Sequence, residues 1–239
     1  MSRDPLELLS AHFTACAAAG HTRKVWWRDD DATRPGPKLQ RLMATASGAG
    51  APLSLAVIPA RVDPALLPLC ATGNITVLQH GIAHTNHQAS GKPAELGDAR
   101  EPQTLVDMLV KWRQSIACAQ ALPVLVPPWN RMRADLLPAL ASAGYAGVSL
   151  FGGAPHRAPL IRVDTHIDPI AWRSTRSLAD DGTLCQMMAR AVATDGPIGL
   201  LTHHIVHDAP LDRFVEAFAD LVAGHDGAEW VSARSLFRH

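Results

Sequence analysis

Short apolar runs recur along this chain, and segments with helical periodicity separate them. Runs of this length are typical of strands buried on both faces of a parallel sheet. The expected strands are Val25–Trp27, Leu53–Ile58, Ile75–Leu78, Val124–Val126, Gly147–Leu150 and Ile198–Leu201, with two more expected within 159–170 and 229–231. The alternation of strand and helix predicts an α/β fold with a mostly parallel sheet of seven or eight strands, closed into a barrel.

The expected helices have recognisable start and stop residues. Asp4 and Pro5 are typical of a helix N-terminus, and this first helix should end near Gly20. A second helix is expected over 38–47, and the longest helical pattern covers 102–122. Asp208 is expected to cap a last helix whose apolar side chains fall on one face.

The composition limits the classes of function open to the chain. Its 239 residues and 47% hydrophobic content fit one domain over 1–239 with an ample core. Lysine plus arginine equals aspartate plus glutamate, at 22 each, so no charge excess favours nucleic acid or an anionic membrane as a partner. No run reaches the length of a membrane span, and the N-terminus lacks a signal-peptide pattern. With four widely spaced cysteines, these features predict a cytoplasmic protein with reduced thiols.

Four of the expected strands lead directly into clusters of polar or proline-rich sequence. The clusters are Arg28–Asp31, Gln79–His87, Pro127–Arg131 and His203–His204. In parallel sheets and barrels, ligand sites gather at the carboxyl ends of the strands. The four clusters therefore predict one shared site, rich in acids and histidines.

The first two clusters have the composition of a metal site. His80 and His84 are four residues apart, which is the spacing of two ligands on one helical turn. A carboxylate from Asp29, Asp30 or Asp31 would complete a three-ligand set with open positions for catalysis. Nitrogen and oxygen ligands suit zinc, and iron, cobalt or manganese remain alternatives. The opposing interpretation is a solvent-exposed loop that happens to be rich in histidine.

The other two clusters offer groups for acid–base and oxyanion chemistry. Pro127 and Pro128 favour an extended, rigid loop and leave the Trp129 N–H free to point into a cavity. His203 follows a strand, where a histidine can serve as a general acid. A plain proline-rich turn and a solvated histidine are the alternatives.

Together the four clusters resemble the motifs of the polysaccharide deacetylase superfamily, carbohydrate esterase family 4 with NodB homology. The first motif, T-F-D-D-G, is similar to 27–31; this match makes Asp29 the general base and Asp30 a metal ligand. The second motif, H-S/T-x-x-H, is similar to 80–84 and implies that His80 and His84 are the other two ligands, with His87 in reserve. The family fold is a distorted, often incomplete (β/α) barrel.

The third and fifth family motifs also have counterparts. R-x-P-Y is similar to 126–129, which gives the Trp129 N–H the oxyanion role, with Pro128 and Arg131 beside the substrate. L-x-x-H is similar to 200–203 and makes His203 the general acid. His204 is adjacent and is the competing histidine, placed with the substrate-binding residues.

Several positions depart from the family pattern. Val126 replaces the third-motif arginine that orients the base, and Arg131 or Arg28 could substitute for it. Gly81 stands where serine or threonine is usual, and Asp31 where glycine is usual. The fourth motif is not legible, although Asp164, Asp168 and Trp172 lie in its region.

The resemblance implies a metal-dependent hydrolase that removes an acyl group from an N-acylated sugar or related amide. The expected cofactor is one divalent ion, most simply zinc, and the expected partner is a small-molecule or glycan substrate. The sequence does not indicate an oligomeric state. A relative that binds a carbohydrate or metabolite without turnover is the alternative, and the missing third-motif arginine is its best support.

Overall fold

A curled parallel sheet forms the centre of the molecule. The structure is a computed structural model and describes residues 4–71, 73–153 and 159–238. Its strands are β1 (Arg23–Ala32), β2 (Leu53–Val57), β3 (Ile75–His80), β4 (Ala121–Val126), β5 (Gly147–Val148), β6 (Ile161–Arg162), β7 (Ile198–Thr202) and β8 (Ala228–Trp230). The order is β6-β5-β4-β3-β2-β1-β7, with β8 paired to the start of β1, and every one of these pairings is parallel.

The segment that follows β6 bridges the two edges of this sheet. Thr165 pairs with Phe151 beyond β5, and Ile167 pairs with Leu200 of β7. The backbone N–H groups of His166 and Ile167 both donate to the Gly199 carbonyl oxygen. Short bridges rather than full ladders thus join the edges, and the prediction of a distorted, incomplete (β/α) barrel is confirmed.

Helices cover the outside of the sheet. They are α1 (Pro5–Ala18), α2 (Pro37–Gly48), α3 (Leu66–Cys70), α4 (Pro102–Arg113), α5 (Leu136–Ser142), α6 (Asp181–Val192), α7 (Ala209–Ala223) and α8 (Ala233–Leu236). The caps predicted at Asp4 and Asp208 are present, accepting from the Leu6 and Leu211 N–H groups. None of these helices, within the residues described, is long and apolar enough to span a membrane.

One predicted helix is too long and another helix was not predicted. The helix expected over 102–122 ends at Arg113 and continues only as a 3₁₀ turn at Gln114–Ile116. The chain must become extended by Ala121, where it pairs with Val77 of β3, so pairing overrides the helical pattern. The sequence reading also missed α6, although Asp180 caps it through the Thr183 N–H.

Side chains alternate between the two faces of β1, and this alternation positions the site. Trp26 packs inside the barrel against apolar side chains such as Leu78 and Val124, with α8 closing that end. Trp27 points outward into the helical layer and stacks on Trp230 at 5.9 Å. With a period of two, Arg28 and Asp30 continue the inner face of the strand, whereas Asp29 continues the outer face.

Candidate active site

Asp31, His80 and His84 bring three ligand-type atoms together at the carboxyl ends of β1 and β3. Asp31 Oδ1 lies 3.2 Å from His80 Nε2 and 3.3 Å from His84 Nε2. One ligand atom from each residue falls within 4.8 Å of the others. Two imidazole nitrogens and one carboxylate oxygen are a donor set that suits zinc and related divalent ions. The two histidines that the sequence paired by their spacing thus lie together with Asp31.

The acid beside the histidines is Asp31, whereas the sequence match placed Asp30 there. Asp31 has a positive φ of 68°, and the register between β1 and β2 shifts between Asp29 and Ala32. The strand alternation therefore breaks at Asp31, and its carboxylate turns towards β3. His84 also has a positive φ, of 54°. Left-handed backbone at non-glycine residues is uncommon and often marks a functional site.

The tautomer of His80 is suited to a metal. Its Nδ1 lies 2.9 Å from the Val126 carbonyl oxygen, which can only accept, so Nδ1 donates and Nε2 is the nitrogen left to face Asp31 or a metal. Such backbone contacts commonly orient metal-binding histidines. Asp31 Oδ1 is buried and, among the described residues, has no well-formed hydrogen bond, as expected of an oxygen that a cation engages.

The electrostatics of this cluster favour a positive charge. Burial raises the pKa of Asp31, but contact with His80 and the charges of the nearby histidines outweigh burial and leave the pKa lowered. Burial lowers the pKa of His80, but the charges of Asp30 and Asp31 outweigh it and leave the pKa raised. Burial lowers the pKa of His84, only partly opposed by Asp31. Asp31 is therefore ionised and His84 is neutral at neutral pH, which are the states that a metal requires.

The loop between His80 and His84 is held by a carboxylate that the sequence analysis missed. Glu95 is buried and accepts hydrogen bonds from the N–H groups of Ile82, Ala83 and Thr85, at 2.8, 2.8 and 3.3 Å. A Cβ at Gly81 would lie 2.2 Å from Glu95 Oε2 and 2.5 Å from Pro128 Cδ. This close approach explains why glycine stands where the family has serine or threonine.

Asp30 forms a buried ion pair with Arg28, the neighbouring side chain on the inner face of β1. The contacts are Nε to Oδ1 at 2.9 Å and Nη2 to Oδ2 at 3.0 Å. Arg28 also donates to Ser149 Oγ at 2.6 Å and Asn130 Oδ1 at 2.7 Å, and it is fully buried. Arg28 thus fixes the orientation of the Asp30 carboxylate, whereas Arg131 donates to the Pro93 carbonyl oxygen.

Asp29 lies on the other side of β1, in a buried network with β7 and the turn after it. Oδ1 accepts from Thr202 Oγ1 at 2.8 Å and from the His204 N–H at 2.9 Å, and Oδ2 contacts His204 Nδ1 at 2.5 Å. Burial raises the pKa of Asp29, but His204 and Thr202 outweigh it and leave the pKa lowered. The structure therefore separates Asp29 and His204 from the site residues with which the sequence grouped them.

The remaining predicted residues meet around a cavity of about 670 Å³ that opens over the metal-type cluster. Its lining includes Asp30, Asp31, His80, His84, Trp129, Arg131, Asp168, Trp172 and His203. Pro128 supports the wall, because it packs against Gly81. Trp129 has a φ of 55° and its ring lies 4.3 Å from that of His84. His87 has no place among these lining residues.

His203 faces the same cavity from the end of β7. The Trp172 ring meets it edge-on at 4.7 Å, and Trp172 Nε1 donates to Asp168 Oδ2 at 2.7 Å. Burial raises the pKa of Asp168, although the charge of His203 opposes the shift. Asp168 and Trp172 thus line the cavity beside His203. Asp164 does not line the cavity, because Arg162 and the N–H groups of Leu150 and Gly153 engage its carboxylate.

Solved structures of low sequence identity share this fold. A family 4 carbohydrate esterase from Streptomyces lividans, in complex with acetate, is 16% identical with a TM-score of 0.56, covering 84% of this chain and 88% of that chain. A mutant peptidoglycan deacetylase from Bacillus subtilis is 13% identical with a TM-score of 0.57, covering 90% of each chain. The chain has the fold of the family 4 carbohydrate esterases. No protein-family model and no curated protein sequence matches it.

Another structure with this fold belongs to a protein that has lost activity. It is a mutant of a family 4 carbohydrate esterase pseudoenzyme, 15% identical with a TM-score of 0.62, covering 91% of this chain and 68% of that chain. A further mutant of that protein has restored enzymatic activity. The esterase fold thus occurs in proteins with and without catalytic activity. Whether a protein with this fold is active therefore depends on the side chains of its site.

Proposed function

We propose that this protein is a metal-dependent hydrolase that removes an acyl group, such as acetyl, from an N-acylated sugar or related amide. The observation that carries the proposal is the convergence of three features on one cavity. These are the Asp31–His80–His84 cluster, the buried Arg28–Asp30 pair and His203. A match of the first motif to 28–32, in place of 27–31, supports the proposal, because it aligns Asp30 and Asp31 with the two aspartates of that motif.

The shifted match assigns Asp31 as the metal ligand and Asp30 as the general base. Asp31, His80 and His84 would hold one divalent ion, and we propose zinc because of the nitrogen-rich donor set. When bound, this ion supplies Lewis-acid activation of a water molecule and of the acyl carbonyl oxygen. Asp30 takes the proton of the attacking water, and Arg28 fixes the orientation of its carboxylate.

His203 and Trp129 complete the proposed chemistry. His203 stands across the cavity and protonates the leaving nitrogen. The Trp129 N–H stabilises the negative charge that develops on the carbonyl oxygen. Asp29 and His204, which the sequence match placed among the reacting groups, become positioning residues. Asp29 accepts from Thr202 Oγ1 and from the His204 N–H, and these two residues flank His203 in the chain. The Asp29–His204 pair thereby fixes the direction of the His203 side chain.

The alternative is a binding protein without turnover, as in the pseudoenzyme of the same fold. Its support in the sequence was the absence of the third-motif arginine at Val126. Arg28 removes that support, because its guanidinium reaches Asp30 from the neighbouring position on the same strand. A soluble N-acylated sugar or glycan precursor is the proposed substrate, in keeping with the cytoplasmic location proposed from the sequence.

Asp30→Asn tests the base assignment, and Asp29→Asn is its matched control on the next residue. In zinc-replete protein we expect Asp30→Asn to lose about 10²-fold or more of kcat for acetate release, the scale of a lost general base, while retaining one equivalent of metal. Asp29→Asn, which weakens a buried ion pair and affects His203 only indirectly, should lower Tm and should reduce kcat less than Asp30→Asn does. Full turnover in Asp30→Asn, or loss of its metal, would contradict the assignment.

A further inference from the structure

Arginine side chains surround the mouth of the active-site cavity. Arg131, Arg173 and Arg176 line it, although the chain as a whole has no net charge. An adjoining groove shares Asp31 and His84 with the cavity and adds Arg34 and Arg61. Five arginines therefore lie around the site where a substrate would enter.

The acids of the cavity do not neutralise these arginines. Asp30 is paired with Arg28, Asp31 faces the two histidines, and Asp168 accepts from Trp172. Within the described part of the chain, no carboxylate lies at ion-pair distance from the guanidinium of Arg173 or Arg176. Among the described residues, the Arg131 guanidinium donates only to the Pro93 carbonyl oxygen. An incoming anion would thus meet guanidinium groups whose charge is uncompensated.

Trp172 contacts both the proposed acid and one of the arginines. Its ring meets that of His203, the proposed acid, at 4.7 Å. The Arg176 guanidinium lies over the same indole at 5.6 Å. Trp172 and Phe151 are each 39% exposed, so both offer an aromatic surface to a ligand at the mouth. A sugar in contact with Trp172 would therefore reach both the acid and the arginine.

We propose that the substrate carries an anionic group, a phosphate or a carboxylate, which Arg173 and Arg176 bind at the mouth while the acyl group reaches the metal-type cluster. This inference rests on the proposed function and deepens it by naming the substrate class. Guanidinium groups match the planar or tetrahedral oxygens of these anions and bind them in a bidentate manner. A wholly neutral glycan would offer no charged group for these arginines to bind.

Calorimetric binding to zinc-replete protein tests the proposal with three probes of matched acyl group. N-acetylglucosamine is neutral, N-acetylglucosamine 6-phosphate carries a phosphate, and N-acetylmuramic acid carries a carboxylate. We expect at least one anionic probe to bind ~10-fold or more tightly than the neutral probe, the scale of added charge-assisted hydrogen bonds. The preference should shrink as ionic strength rises. The stronger of the two anionic probes identifies the anion.

The double variant Arg173→Gln/Arg176→Gln should lose this preference, and Arg190→Gln on the exposed face of α6 should keep it. Both arginines are exposed, so an unchanged Tm checks that the variant is folded. Equal affinity for neutral and anionic probes, no measurable binding of either anionic probe, or a preference that survives in the double variant would each overturn the proposal.

Acetate release from the same probes separates this proposal from the hydrolase itself. If no probe releases acetate but the binding preference is present, hydrolysis is disproved and the anion site stands. If acetate is released while neutral and anionic probes bind equally, the hydrolase stands and the anion site is disproved.

Discussion

Three consecutive aspartates at the end of β1 have three different environments. Asp29 faces the helical layer and pairs with His204, Asp30 faces the barrel interior and pairs with Arg28, and Asp31 turns to the histidines of β3. Strand alternation explains the first two directions. The positive φ of Asp31 explains the third. A shift of one residue in this segment would exchange the proposed base, the proposed ligand and the structural acid.

Part of this arrangement could be predicted from the sequence. The histidine pair and His203 followed from spacing and from their position after strands, and Arg28 was one of two candidates to replace the missing arginine. The direction of Asp31 could not be predicted, because a left-handed residue at a strand end depends on its tertiary contacts. Asn130 also lies in a strand-end cluster, so the rule that located His203 could have found it.

The Asp29–His204 pair makes stability depend on pH. Burial lowers the pKa of His204, but the charge and hydrogen bond of Asp29 outweigh it and leave the pKa raised above 6.5. A raised folded-state pKa contributes stability that is fully present below about pH 6.5 and is lost as the pH rises through the folded value. The Tm difference between wild type and His204→Gln should therefore be larger at pH 6 than at pH 9.

Thermal melts at both pH values measure this difference. His21→Gln, at an exposed histidine following α1, should melt like the wild type at both. A His204→Gln difference that stays constant or grows towards pH 9 would show that His204 is not held in its charged form by Asp29.

At the scale of elements, the loop after β3 depends on close contacts that glycine permits. Gly81 and Gly91 have φ values of 55° and 81°, so alanine costs about 1 kcal/mol of backbone strain at either position. Only at Gly81 does the added Cβ meet Glu95 and Pro128, whereas nothing lies within 4 Å of it at Gly91. We expect Gly81→Ala to cost about 1–3 kcal/mol more than Gly91→Ala in unfolding free energy.

Urea unfolding of the two variants measures that difference, and zinc affinity provides a second readout. Because Glu95 and Pro128 hold the loop that carries His84, Gly81→Ala should also weaken zinc binding, and Gly91→Ala should not. Equal stability and equal zinc affinity of the two variants would contradict the role given to this contact.

The elements themselves were predictable where local pattern and tertiary pairing agree. The apolar runs located the central strands, and the caps at Asp4 and Asp208 located two helices. The helical pattern over 102–122 is longer than the helix that forms, because the chain enters the sheet as β4 at Ala121. Glu95 left no signal, since a single acid in a loop has no periodicity and its three N–H donors belong to the folded loop.

At the scale of the whole molecule, the barrel brings residues from distant parts of the chain to one rim. Asp31 lies near the end of β1 and His80 at the end of β3. His203 reaches the same cavity from the end of β7, on the other side of β1. Strand order therefore brings a metal-type cluster, a paired carboxylate and a histidine to one rim. The fold resemblance predicted from four short motifs is confirmed at this scale, although solved structures with this fold are only 12–18% identical to the chain.

Acetate release during zinc titration of chelator-treated protein tests whether hydrolysis depends on the metal. With an N-acetylated sugar as substrate, we expect no release without zinc, and a rate that rises to a plateau at one equivalent. Asp31→Ala should release none at that ratio, because it lacks the carboxylate ligand. Release that is independent of zinc, or absent from the wild type at every ratio with zinc bound, would contradict the account.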